Sequence, residues 1–324
     1  MMDSIKYVAG AIVLAYSLKK VATKYPVMCM VTDDVPSKAK KVCLSLIIIV
    51  IEFKQFQVLK KYFDKVILVD YISHRCVQLK TVRQRKLYSK WIEESFTKWN
   101  CLDENLFGQF DKLLFIDADM LVKYNCDDQL FSLEPPAMTF SLPWAKPYQH
   151  NSGMSNPYGE LIHGSRISRK TVLEFGFNSF VGLGSMALVK PDQNVFNQLK
   201  LCLCDDGFLF YGKSTCYSGF DEQLICQTYC LLGYQFTHIH QSYNWCAGKW
   251  NWLPNYKGSK DLTKLNKSDA NSPKIFHYYG DEKPWFYSRN DQPRDTEYWW
   301  QLADEIIYEL KDNIARKFFE LDFI

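Results

Sequence analysis

No run of about 20 apolar residues occurs in the chain, so nothing in it spans a bilayer as a helix. The strongest such run, "CLSLIIIVIEF" from Cys43 to Phe53, is too short. Charge of one sign is also missing. The formal net charge is +3, with acids and bases interspersed, which argues against a nucleic-acid arm and against a strongly acidic face. The 11 cysteines are odd in number and scattered, and neither Cys202 with Cys204 nor Cys226 with Cys230 has zinc-ribbon spacing. Reduced thiols in a cytoplasmic chain are expected. Any P-loop or similar phosphate cradle is absent, which disfavours a metal-dependent nucleotide hydrolase. No internal repeat or low-complexity linker breaks the chain.

What is present is ample core material: 324 residues, 47% hydrophobic and 16% aromatic. The opening "MMDSIKYVAGAIVLAYSLKK" reads as a buried helix rather than a signal peptide, since no small-x-small cleavage site follows it. "NKS" at Asn266 is a glycosylation sequon without a secretion signal. Helical and strand-like segments alternate through the first half: "PVMCMVT", "KVILVDYI" and "KLLFIDADML" as strands, "SKAKKV", "FQVLKKYF" and "RQRKLYSKWIEESFTKW" as helices. That alternation predicts an α/β domain with parallel strands covered on both faces. After Asp119 the texture turns to loops punctuated by proline and glycine, in the place where open α/β sheets bind ligands. "TEYWWQLADEIIYELKDNIARKF" predicts one amphipathic helix with Trp299, Leu302, Ile306 and Leu310 on its apolar face.

"KLLFIDADML" ends an apolar strand in two aspartates. On an extended segment Asp117 and Asp119 project to one face. Two such carboxylates stay ionised together only with positive charge between them, and a divalent cation, Mg²⁺ or Mn²⁺, supplies it. A solvated loop-capping pair is the other reading. "KIFHYYGDEKPWFYS" brings His277, Gly280 and Lys283 together: an imidazole suited to Mn²⁺, a glycine that lets backbone approach a ligand, and an ammonium that can neutralise a departing phosphate. A packed core histidine is the alternative for His277. His238 and His240 of "HIHQ" share a strand face, but no neighbouring carboxylate or cysteine pattern supports a second metal site.

Taken together, "LLFIDADM" and the late "FHYYGDEKPW" resemble glycosyltransferase family 8, the glycogenin-like group. "YVAGAIVLAYSLKK", "FTKW", "SGFDEQLI" and the "YN" of Tyr243 and Asn244 add to the likeness. The resemblance implies a GT-A fold, α/β and Rossmann-like, with a mixed, mainly parallel central sheet. It implies a catalytic domain over 1–290 and a C-terminal helical extension over 291–324. It further implies a UDP-sugar donor, probed first as UDP-glucose, and Mn²⁺, with Mg²⁺ as substitute, held by Asp117, Asp119 and His277. Ala118 lies between the two acids in the same donor-binding motif. Gly280 and Lys283 would contact the diphosphate, Lys98 would reach the donor, and Asp221 would stand near the transferred sugar, with Glu222 and Gln223 as adjacent candidates. Tyr7 would pack near the base. Transfer would retain configuration, to a carbohydrate, lipid or protein acceptor. A homodimer is left open, and no nucleic acid is expected as partner.

Three departures from the family pattern stand out. The chain starts past the family's first strand, "CLSLIIIVIEFKQFQ" (43–57) reads as an insert, and tryptophans and asparagines in "YNWCAGKWNWLPNY" replace the tyrosine that glycogenin glucosylates. "VGLGSMALV" also stands where the family has asparagine-serine-glycine. A catalytically silent binding protein is the alternative these departures keep open.

Overall fold

The computed structural model describes residues 4–32, 57–74, 92–140, 162–176, 182–204, 220–247, 272–280, 283–287 and 296–319. The expected insert (all but residue 57), the helix at "SKAKKV" and the sequon lie outside these residues.

Helix α1, Ser4–Lys20, is the predicted N-terminal helix. Its residues Val8 to Ala15 are apolar or glycine on nearly every face and buried, so packing rather than amphipathicity holds it. Lys19 and Lys20 complement the negative end of its dipole. The helix stops where Ala22 takes a left-handed φ of 56° and Thr23 N donates to Leu18 O at 3.1 Å.

The strands form three sheets among the described residues. Strands β1 (Met28–Val31) and β2 (Lys65–Leu68) pair in parallel. β3 (Leu113–Ile116), β5 (Ala137–Thr139), β6 (Arg166–Ile167), β7 (Leu183–Val189) and β8 (Phe236–His238) form a five-stranded sheet in the order β3-β7-β5-β8-β6. β4 (Met120–Val122), β9 (Trp245–Cys246) and β10 (Ile275–His277) form the third, with β10 central. The five- and three-stranded sheets are mixed, as expected, but among the described residues parallel pairs do not predominate in the five-stranded sheet as expected, because β6 and β7 run against their neighbours. β5 runs parallel to β8, while β7 runs antiparallel to both β3 and β5.

β7 is buried from Gly184 to Val189, which explains its near-continuous apolar sequence. β3 and β4 are separated only by Asp117, Ala118 and Asp119, so the chain leaves one sheet and enters another at the paired acids. α1 packs on that junction. A Cβ on Gly10 would lie 2.6 Å from the Ala118 carbonyl and 2.5 Å from the Trp285 ring, so only glycine allows the approach.

The predicted C-terminal helix forms in two pieces. Glu297–Asp304 continues as a π-helical turn, Glu305–Glu309, and the chain breaks at Lys311, whose φ is 51°, before a second helix, Asn313–Phe319. Trp299, Leu302 and Ile306 are fully buried against α1 as the periodicity predicts, but Leu310 is 48% exposed. The physical reason is Asp312. Its Oδ1 accepts from Ile314 N and Ala315 N, both at 3.0 Å, capping the second helix and forcing the first to end.

Its Oδ2 accepts from Tyr62 Oη and Lys61 Nζ, both at 2.7 Å, so the cap also ties the C-terminus to the segment ahead of β2. Asp312→Ala should therefore destabilise the protein by ~2 kcal/mol, read by urea unfolding. Burial opposes ionisation of this carboxyl, but the bonds from Lys61, Ala315 and Tyr62 hold it below the usual carboxylate range. A depressed acid contributes above the unfolded value and loses its contribution as pH falls through the folded one. The mutant should thus differ most from the parent at neutral pH and converge with it in acid.

A second pH effect comes from His238 on β8. Its Nδ1 accepts from Phe140 N at 3.2 Å, and burial, with His240 and His163 nearby, pushes its pKa down to about 3. Between that value and about 6.5 only the unfolded chain binds the proton, so stability must fall as pH drops below about 6.5. Urea midpoints measured from pH 7 to 4 should show this loss, and His238→Gln should flatten it.

Among the described residues no helix is long and apolar enough to cross a membrane, and Cys29, Cys101, Cys126, Cys202, Cys226, Cys230 and Cys246 are thiols rather than disulfide-bonded. Cys226 and Cys230 are both buried in helix Phe220–Leu231, as expected for small apolar residues one turn apart.

Candidate active site

The paired acids sit where three elements meet. Asp117 follows β3, and its amide donates to Ser185 O of β7 at 2.8 Å. Asp119 precedes β4, and its carbonyl accepts from Tyr278 N at 2.9 Å, beside the β4–β10 register that sets His277 opposite Met120. The backbone thereby fixes both acids and the imidazole without help from their side chains.

Each acid faces a lysine. Lys98, on the 3₁₀ segment Ile92–Leu102, lies 3.3 Å from Asp117 Oδ2 and 2.9 Å from Asp221 Oδ2, and donates to Gly184 O at 3.3 Å. Only the last part of the predicted "RQRKLYSKWIEESFTKW" helix is among the described residues, and it is this 3₁₀ segment. Lys283, almost fully buried, donates to Asp119 Oδ2 and, at 2.6 Å, to Tyr278 O. Burial raises the Asp117 carboxyl to about 7, with Lys98 pulling it down and Asp119 and Asp221 pushing it up. Burial also works against ionisation of Asp119, yet Lys283, and His277 when its ring is charged, hold that carboxyl below its ordinary value. Lys98 is raised, because Asp117 and Asp221 outweigh the cost of removing its ammonium from water.

His277 Nε2 stands 3.6 Å from Asp119 Oδ1, too far for a hydrogen bond, and that oxygen is buried and accepts none. On the ring's other side, Nδ1 lies 3.0 Å from Asn244 Oδ1. Among the described residues no group of three His, Cys, Asp or Glu side chains could hold a metal ion as it stands. Asp119 and His277 are neighbours, while Asp117 faces Lys98.

Helix Phe220–Leu231 brings the next two acids. Asp221 is buried and bound to Lys98, and its carbonyl accepts from Trp99 Nε1 at 3.1 Å. Glu222 Oε1 accepts from Gly184 N at 2.8 Å. A Cβ on Gly184 would meet Glu222 Cγ at 2.6 Å, so the glycine makes room for this acid against β7. Gln223 is buried in the same helix.

Gly280 has a φ of 81°, a left-handed turn that glycine adopts without strain, and it turns the chain between His277 and Lys283. Ala118 packs under α1. Tyr7 lies on α1 with its ring centre 5.4 Å from that of Trp285 and 6.0 Å from that of Phe286, and Trp285 also reaches Gly10 beside Ala118. No role for Ser185, Gly184 or Asn244 follows from the sequence alone. Asn244 had a signal in the "YN" pair, whereas a single serine inside an apolar strand carried none.

An α/β fold of this kind, with paired acids where two sheets meet, is that of the GT-A glycosyltransferases. The apo structure of the bifunctional glycosyltransferase WbbM superposes with a TM-score of 0.51 at 12% identity, covering 96% of this chain and 50% of WbbM. A family description, glycosyl transferase family 8, matches residues 2–142. Its curated relatives include the uncharacterised protein R707 of Acanthamoeba polyphaga mimivirus, 24% identical over 286 residues, or 88% of this chain and 80% of R707. Glycogenin-1 of Caenorhabditis elegans is 28% identical over 149 residues, covering 46% of this chain and 28% of glycogenin-1.

Proposed function

We propose that this glycosyltransferase moves a hexose, glucose in the first instance, from a UDP-sugar to a carbohydrate, lipid or protein acceptor, with retention of configuration and with a divalent cation. The observation that carries the reading is Asp119 Oδ1. It is a buried carboxylate oxygen with no hydrogen bond, facing an imidazole nitrogen at 3.6 Å. Burying such an atom unsatisfied is costly, and a cation between the two groups would satisfy it. Asp119, His277 and Asp117 would hold it, Mn²⁺ in preference to Mg²⁺ because one ligand is nitrogen. A divalent ion bound there supplies neutralisation of a diphosphate leaving group.

The chain's own residues do the rest. Lys283 is held by Asp119 and the Tyr278 carbonyl, so its ammonium is already aimed and mostly dehydrated when a phosphate arrives. Lys98 joins Asp117 to Asp221 and so fixes the acid assigned to the sugar at a set distance from the acid assigned to the cation. Gly280 leaves its backbone open to a phosphate oxygen. The Trp285 and Phe286 rings fix Tyr7, the residue assigned to the base.

The test is a screen of UDP-sugars with and without Mn²⁺, following release of UDP. Release from UDP-glucose that needs Mn²⁺ and stops with EDTA is the expected result. Binding of the UDP-sugar without release under any condition would replace transfer by a nucleotide-sugar-binding role.

A further inference from the structure

Ser185 is tied to both halves of the site. Its backbone carbonyl accepts from Asp117 N at 2.8 Å, and its side-chain Oγ meets both ends of the Asn244 amide, Nδ2 at 2.9 Å and Oδ1 at 3.2 Å. Asn244 in turn presents Oδ1 to His277 Nδ1 at 3.0 Å. All three side chains are buried, with Ser185 4%, Asn244 2% and His277 6% exposed. A continuous line of bonds therefore runs from β7 of the five-stranded sheet to β10 of the three-stranded sheet and ends at the imidazole beside Asp119.

We propose that Asn244, held in place by Ser185, is a positioning residue that fixes the tautomer of His277. An amide oxygen only accepts, so the ring nitrogen facing it must carry the proton. With Nδ1 protonated in a neutral ring, Nε2 keeps its lone pair, and that nitrogen is the one 3.6 Å from Asp119 Oδ1. The pair thus offers electron density from both sides to whatever lies between. Ser185 matters because an amide can turn about its axis: its hydroxyl, near both Nδ2 and Oδ1, holds the amide in place, while Oδ1 is the end that also reaches the ring.

The backbone supports the same arrangement. Asn244 closes the 3₁₀ turn Gln241–Tyr243 and leads directly into β9, whose Cys246 pairs with His277. Asn244 is therefore delivered beside the imidazole by the sheet register. The inference rests on the proposed cation site for its function, but its hydrogen bonds hold without it.

The tautomer is directly measurable. In metal-free protein labelled with ¹⁵N-histidine, long-range ¹H–¹⁵N correlations distinguish protonation at Nδ1 from protonation at Nε2. The chain has 6 histidines, and the His277 signals are those missing from His277→Gln. Nδ1–H is expected in the parent and in Asn244→Asp, whose carboxylate still accepts, and its loss is expected in Asn244→Ala. Ser185→Ala should give a mixture.

Mn²⁺ titration should show affinity 10- to 100-fold weaker, as an order of magnitude, in Asn244→Ala and largely rescued in Asn244→Asp. Nε2–H in the parent overturns the proposal outright and needs no variant to fold. So does an Asn244→Ala protein that keeps both tautomer and affinity. A parent that shows Nδ1–H yet binds no Mn²⁺, with or without UDP, supports the positioning and sinks the cation reading instead.

Discussion

Asp119→Asn should lower the rate of UDP release from the preferred donor by about 100-fold or more, some 3 kcal/mol in the barrier, while leaving the fold intact. The substitution keeps shape and removes charge. Among the described residues Asp119 is the acid that meets both Lys283 and His277, and its Oδ1, which accepts no hydrogen bond, is the atom on which the cation reading rests. An amide at this position either puts an NH₂ donor against the Lys283 ammonium or turns that donor toward the imidazole.

Both outcomes remove negative charge where the proposed cation and diphosphate would be organised together. The fold should survive because the backbone contacts of Asp119 do not depend on the carboxylate, and Lys283 keeps the Tyr278 carbonyl. The measurement is kcat/KM with Mn²⁺ present, alongside a urea melt. A rate equal to the parent's, in folded protein, rules out the assignment of Asp119.

Much of this site was legible because its members lie in short, chemically unusual segments. Two acids after "LLFI" have few structural excuses, and a histidine, a glycine and a lysine within one aromatic stretch stand out from their surroundings. The N-terminal helix was legible for a similar reason, as its apolar length is too great for a strand. β7 was not. "LGSMALV" is a short apolar run that follows a glycine-rich stretch, and periodicity cannot separate a buried strand of that length from a loop that packs. Only its antiparallel neighbours, β3 and β5, define it.

The break at Lys311 was hidden because the apolar spacing continues through Leu310, while the Asp312 cap that ends the helix is set by Lys61 and Tyr62, some 250 positions away. The Ser185–Asn244–His277 line joins residues 59 and 33 positions apart, and nothing local in any of the three announces the others. Pairwise side-chain contacts across sheets are the part of a site that a single sequence encodes but does not display.

Lys98→Met should destabilise the folded protein by about 3 kcal/mol, the largest stability effect expected at the site. Its ammonium is the shared counter-ion of Asp117 and Asp221, and the Asp221 side chain is only 5% exposed. Methionine fills the volume of the lysine stem, so the loss reports charge rather than a cavity. Removing one partner of a buried ionic cluster costs more than the cluster contributes, because the remaining charges keep their desolvation cost without compensation.

Asp117 has an escape, since burial has already raised it to about 7 and without Lys98 it would take up a proton near neutral pH. Asp221 would then be the acid left without its partner, so Lys98→Met with Asp221→Asn should recover at least about 1 kcal/mol of the loss. Urea unfolding of the single and double variants at pH 7 measures this coupling. A double variant no more stable than Lys98→Met would mean that Asp221 does not depend on this ammonium. The salt bridge joining the acid assigned to the sugar with the acid assigned to the cation would then carry no energy.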